Sequence, residues 1–121
     1  MELRLVTIDR DNDLMVMAVD GGLDGRTAEE FVAQVEQLVE GGVRRIIVDC
    51  SQLTFLSSAG LAALLRVHHR MTRHGGDVRL AGVQGMVTQV LHLTRLDRML
   101  QLYPDVERAR LSLRPPERPS S

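Results

Sequence analysis

Residues 44–71 read RRIIVDCSQLTFLSSAGLAALLRVHHRM, and the rest of the chain is organised around them. Ile46-Ile47-Val48 is a short β-branched run of the kind that fills a strand buried on both faces. Asp49-Cys50-Ser51-Gln52 ends it with turn-forming residues. Leu53, Phe55 and Leu56 are apolar again, which predicts a connection lying down on the core. Ser57 and Ser58 follow, and either can cap a helix by accepting a hydrogen bond from a free backbone N–H. Beyond them Leu61, Leu64, Leu65, His68 and Met71 recur at helical spacing as one largely apolar stripe. A strand, a packed loop and a helix with two hydroxyls at its start are therefore expected.

Working outward, residues 3–20 alternate apolar and polar and then become apolar through Leu14–Val19, with Asp11-Asn12-Asp13 as a hairpin turn signal between the runs. Thr27-Ala28-Glu29-Glu30 has the form of a capping box. The helix it opens carries Phe31, Val32, Val35, Leu38 and Val39 on one face and stops at Gly41-Gly42. Gly75-Gly76 similarly closes the helix that begins near Ser58. Val78–Gly82 is strand-like, Met86, Val87, Val90 and Leu91 imply a third helix, and Pro104 suits the first position of a fourth. This pattern predicts an α/β domain with a mixed sheet of about four strands and about four helices. The domain is expected over residues 1–113. The tail 114–121, RPPERPSS, has nothing apolar to bury and is expected to be disordered.

The 121 residues fit one domain with a real core. A hydrophobic share of 44% and a charged share of 26% are those of an ordinary soluble protein. A net charge of −1 gives no reason to expect nucleic acid or an anionic membrane as partner. Every basic residue is arginine. A single cysteine, Cys50, excludes an internal disulfide and a multi-cysteine zinc site and fits a reducing cytoplasm. Glu2 and Arg4 charge the N-terminus where a signal peptide would be apolar. No apolar run approaches a membrane span.

Chemistry-bearing clusters are few. His68 points with the apolar stripe while His69 lies about 100° around the helix, so the pair does not converge on a metal. Cys50 lacks a base partner, and Ser58-Ala59-Gly60 lacks the preceding glycine of a nucleophile elbow. No phosphate-cradling loop accompanies Gly21-Gly22 or Gly75-Gly76. Catalysis, a cofactor and a metal are therefore not expected. Asp49, ending a strand, reads as a functional group or as a hydrogen-bonding partner of the following loop.

The block VDCSQLTFLSSAGLAALL resembles the signature of the STAS domain, specifically that of the bacterial anti-sigma factor antagonists. That signature places a strand ending in aspartate, a loop, an Asp-Ser-Ser/Thr-Gly-Leu segment and a helix in succession. Registered on Gly60-Leu61, Ser57 stands at the aspartate, Ser58 at the phosphorylated serine and Ala59 at the second hydroxyl. Gly22-Leu23-Asp24 resembles the family's first loop, and Thr94-Arg95-Leu96-Asp97 stands where Thr-Gly-Leu-Asp is common. The resemblance covers roughly residues 3–112. It implies a cytoplasmic, non-enzymatic regulator whose bare form binds an anti-sigma factor that is also a serine kinase, thereby freeing a sigma factor. Phosphorylation at Ser58 (Ser57 is the alternative) would end that binding, and a phosphatase would restore it. Leu23, Asp24, Ser57, Ser58, Gly60 and Leu61 are the implied partner-binding residues. A scaffold or sensory module in which Ser58 only caps the helix is the other reading. For Asp24, a turn or helix-start charge stands beside the partner contact.

Overall fold

The computed structural model describes residues 2–9 as a strand and residues 14–113 in full. The expected turn at Asp11–Asp13 and the expected tail at 114–121 lie outside the described residues. β1 (Glu2–Asp9) pairs antiparallel with β2 (Leu14–Leu23), and α1 (Ala28–Glu40) then crosses over to β3 (Arg45–Asp49), parallel to β2. β4 (Leu53–Leu56) leads into α2 (Ser58–Arg73), β5 (Asp77–Ala81) and α3 (Gly85–Leu93). A 3-10 turn at Leu96–Arg98, the short β5-paired strand β6 (Leu102–Tyr103) and α4 (Val106–Ser112) complete the described chain.

The mixed α/β sheet with four helices agrees with the sequence reading. Among the described residues it has six strands, in the order β1-β2-β3-β5-β6 with β4 also on β2. The two beyond the expected number are β4 and β6, both short. β3 follows β2 from Leu14 to Ala18, and β4 takes up the same edge from Gly21 to Leu23. The segment read as a packed connection is thus a second piece of strand.

Alternation along the strands sends side chains to two cores. Met17, Val19, Ile46, Val48, Val78 and Leu80 meet α1, α2 and α3. On the opposite face Leu14, Val16, Ile47 and Ala81 pack with Ala109 and Leu113 at the C-terminal helix. Ile46, Ile47 and Val48 are all buried, as a central strand between two layers requires. On α2 the fully buried residues are Gly60, Ala63, Leu64, Val67 and Met71, while Leu61, Leu65 and His68 are half-buried. The true inward face is therefore rotated slightly from the expected stripe, toward Ala63 and Val67.

Two helix starts differ from their sequence reading. Thr27 precedes α1 but does not cap it: its hydroxyl accepts from the Asp24 N–H at 3.0 Å and donates to the Gly22 carbonyl at 3.1 Å. The capping box is absent because that hydroxyl is committed to the preceding loop. α4 begins after Pro104, at Val106, because the Asp105 carboxylate accepts from the Arg108 N–H at 2.8 Å and fixes the start there.

Candidate functional site

The N-terminus of α2 is built against the end of β2. Ser57 has extended backbone (φ −88°, ψ 175°), and its Oγ accepts from the Gly60 N–H at 3.2 Å. Of the two serines, Ser57 is thus the cap. Its own N–H donates to the Leu23 carbonyl at 3.0 Å. Gly60 packs so closely on that carbonyl that a Cβ there would lie 2.1 Å from the oxygen. The Ser-Ser-Ala-Gly stretch therefore needs glycine for close approach rather than for an unusual backbone angle.

Ser58 occupies the first helical position and is exposed. Among the described residues its hydroxyl has no hydrogen-bond partner. Ala59 beside it is also exposed, and a side chain added at Gly25 would come within 3.9 Å of the Ala59 Cβ. The Asp24–Arg26 loop consequently borders the first turn of α2. Asp24 Oδ1 accepts from the Arg26 N–H at 2.9 Å and the Thr27 N–H at 3.3 Å. The Arg26 N–H is the main reason its carboxyl is held below the ordinary range, with the Thr27 N–H and hydroxyl adding to it against partial burial. Asp24 thus has the turn role, and remains partly exposed at the border of the site.

The structure brings all six resemblance-implied residues into one region but gives them different positions. Ser58 and part of Asp24 face solvent; Leu23 and Gly60 are buried, and Leu61 is half-buried against the main core. Leu23 and Gly60 fix the surface from beneath. A surface residue missed by sequence reasoning is Phe55, 44% exposed, whose ring lies against Gly22. Its apolar character read as core. The pairing steps from Gly21–Leu53 to Gly22–Phe55, which leaves an extra residue in β4 and breaks the alternation that would have turned Phe55 inward.

The remaining candidates have structural places. Asp49 Oδ1 accepts from the Ser51 N–H at 3.0 Å, holding the loop after β3. Cys50 is fully buried, and burial followed by the Asp49 charge pushes its thiol up to about 12, so it stays protonated and unreactive at neutral pH. His68 and His69 have ring centroids 5.8 Å apart, tilted by 54°. Among the described residues no cluster of His, Cys, Asp or Glu is placed to hold a metal ion, and no helix is long and apolar enough to cross a membrane.

At a helix start the first backbone N–H groups lack intrahelical partners, and the helix dipole favours negative charge. An exposed hydroxyl at the first position can therefore carry a phosphoryl group without burial of its charge. Such a group would replace a neutral hydroxyl, next to Ala59 and near Gly25, with one carrying about −1.5 to −2 charge at pH 7.

Comparison with known proteins places this geometry among relatives. The family model described as STAS domain matches residues 5–109. The anti-sigma-F factor antagonist RsfB of Mycobacterium tuberculosis is 27% identical over 111 residues, covering 90% of this chain and 88% of the relative. The crystal structure of an anti-sigma factor antagonist from Mycobacterium paratuberculosis superposes with a TM-score of 0.78 at 26% identity, covering 94% of this chain and 96% of that one. The Bacillus cell fate determinant SpoIIAA, solved in a phosphorylated form, shares the fold with a TM-score of 0.73 at 21% identity, covering 93% of this chain and 100% of that one.

Proposed function

This chain belongs to the STAS domain family, and we propose that within it the protein is an anti-sigma factor antagonist operated by Ser58. In its bare form it binds an anti-sigma factor that is also a serine kinase, and so releases a sigma factor in the bacterial cytoplasm. Transfer of a phosphoryl group to Ser58 Oγ ends the binding, and a phosphatase restores it. The protein acts by binding and not by catalysis, within one domain spanning residues 1–113. Ser57, Gly60 and Leu23 hold the helix start in place, while Ser58, Asp24 and the exposed edge of the first turn meet the partner and Leu61 braces that turn on the core.

The observation that carries this reading is the division of labour between the two serines. Ser57 spends its hydroxyl on the cap, whereas Ser58, one residue on, is exposed at the helix start. The names of the relatives support the same role.

A scaffold that is never phosphorylated is the second reading, and one observation favours it. Where the signature has aspartate and a second hydroxyl, this chain has Ser57 and Ala59. The cap survives the first change, since serine and aspartate are comparable N-cap residues. The charge does not survive it.

Incubation of the parent, Ser58→Ala and Ser57→Ala with ATP and the serine kinases of the source organism, read by intact mass and by binding before and after ATP, decides between them. The expected result is one phosphoryl group on the parent and Ser57→Ala, none on Ser58→Ala, and loss of binding only where it is incorporated. Incorporation on Ser58→Ala but not on Ser57→Ala would move the acceptor to Ser57. No incorporation on the parent, with binding indifferent to ATP, would establish the scaffold.

A further inference from the structure

A phosphoryl group on Ser58 brings its charge to a part of the chain that has little of its own. Residues 53–65, which hold β4 and the first half of α2, carry no charged side chain. The charges nearest in the adjoining loop and helix start are Asp24, Arg26, Glu29 and Glu30. Only Arg26 among them is a cation. It is exposed, and its guanidinium makes no hydrogen bond or ion pair among the described residues. The first arginine of α2, Arg66, stands about 12 Å along the helix axis from Ser58 and is engaged by Glu29 at 3.1 Å.

Arg26 is fixed through its backbone while its side chain stays uncommitted. Its N–H donates to Asp24 Oδ1 at 2.9 Å, and the Thr27 N–H donates to the same oxygen at 3.3 Å. The Thr27 hydroxyl fastens this turn to the Gly22 carbonyl at 3.1 Å. Leu23, just before the turn, accepts from the Ser57 N–H at 3.0 Å, so turn and helix start share one frame. They touch at Gly25 and Ala59, where a Cβ on the glycine would lie 3.9 Å from the Ala59 Cβ. Arg26 and Ser58 are each one residue from that contact, so their Cα atoms are no more than about 15 Å apart. An extended arginine and a phosphorylated serine span that distance between them. In the bare protein Arg26 lines a polar hollow of about 390 Å³ with Gly22, Asp24, Thr27 and Glu30.

We propose that Arg26 is the counter-ion of phosphorylated Ser58: its guanidinium leaves the hollow, donates to the phosphoryl oxygens and clamps the Asp24–Thr27 turn to the first turn of α2. This rests on the reading that Ser58 is the acceptor. Asp24 and Glu30 compete weakly for the guanidinium. Each carries one charge, and Asp24 Oδ1 already accepts two backbone N–H groups. A phosphoryl group offers three acceptor oxygens and about −1.5 to −2 charge, which suits the forked donors of arginine. Arg26 is thus a positioning residue for the phosphoryl group. The clamp adds a change of surface to the change of charge, because it draws a long side chain toward Ala59 at the edge that a partner meets in the bare form.

The test uses the full chain with phosphoserine installed at position 58 during translation, so that the phosphoryl group is present without a kinase. Phosphorus NMR follows its second ionisation, which lies at about pH 6 in a free phosphoserine. An adjacent cation favours the dianion, so Arg26→Gln should raise that pKa by about 0.5–1 pH unit relative to the parent. Arg26→Lys, which keeps the charge, should recover most of the difference. Arg98→Gln removes the same charge at an exposed position elsewhere and should leave the pKa unmoved. In the parent the Arg26 Nε–H resonance should titrate together with the phosphate. Each variant keeps the backbone bonds of the turn, so its fold is expected to be intact by circular dichroism. A pKa that ignores Arg26→Gln, or that moves equally with Arg98→Gln, would overturn the clamp. The Ser58 switch would still stand on kinase transfer and loss of binding. Titration of the Arg66 Nε–H in place of that of Arg26 would give the phosphoryl group to Arg66 and also overturn the proposal. If no kinase phosphorylates Ser58 in the parent, the clamp has no group to hold and falls with the reading it rests on.

Discussion

At Gly60, alanine would put a methyl group 2.1 Å from the Leu23 carbonyl oxygen and 3.0 Å from Leu56 Cδ1. The carbonyl is backbone and already accepts from Ser57, so it cannot turn aside. Gly60→Ala should lower stability by about 1–3 kcal/mol or more as the first turn is pushed outward, seen as a lower melting temperature. Ser57 obeys a different rule. Ser57→Ala removes the acceptor for the Gly60 N–H and should cost about 1 kcal/mol. Ser57→Asp keeps an acceptor and adds a carboxylate at the positive end of the helix dipole, so it should be at least as stable as the parent. Denaturant titration of the two variants checks both; an aspartate variant as unstable as the alanine one would show that the hydroxyl does more than cap. That Ser57 or Ser58 caps the helix was legible from residue type. Which of them does so was not, because the choice depends on where β2 ends.

Among the elements, α2 gives the plainest test of packing. Leu64 is 3% exposed and lies in the main core, so Leu64→Ala should cost about 2–5 kcal/mol. Arg66 is exposed and makes one surface ion pair, and Arg66→Ala should cost no more than about 1 kcal/mol. Comparable losses in thermal melts would mean that the helix faces the other way. Strong periodic elements were legible in the sequence. Ile46–Val48 announced a two-sided strand, and the apolar face from Phe31 to Val39 announced α1. The missed elements are those whose existence depends on a neighbour. β6 is two residues that become strand only because β5 offers an edge, and β4 is strand because β2 outlasts β3. Thr27 misled for the same reason: local spacing matched a capping box, but the hydroxyl found closer partners at Gly22 and Asp24.

For the whole molecule, the proposed domain boundary at residue 113 rests on Leu113. Its side chain is 5% exposed, and its carbonyl accepts from the Arg45 guanidinium, so the end of α4 is fastened to β3. Truncation after Leu113 should leave the melting temperature nearly unchanged, whereas removal of Leu113 as well should lower it. Equal losses from the two truncations would place part of the domain beyond residue 113. The Leu23–Ser57 link joins residues 34 apart, with a complete crossover of helix and strand between them. A chain emerging from the ribosome thus carries both serines before it has a site: the helix start acquires its shape only when that loop has closed and its entropy has been lost. On the proposed reading, a kinase or binding partner that requires the finished helix start would therefore also be reading whether the chain has folded, and nascent or damaged copies would be silent in the same exchange.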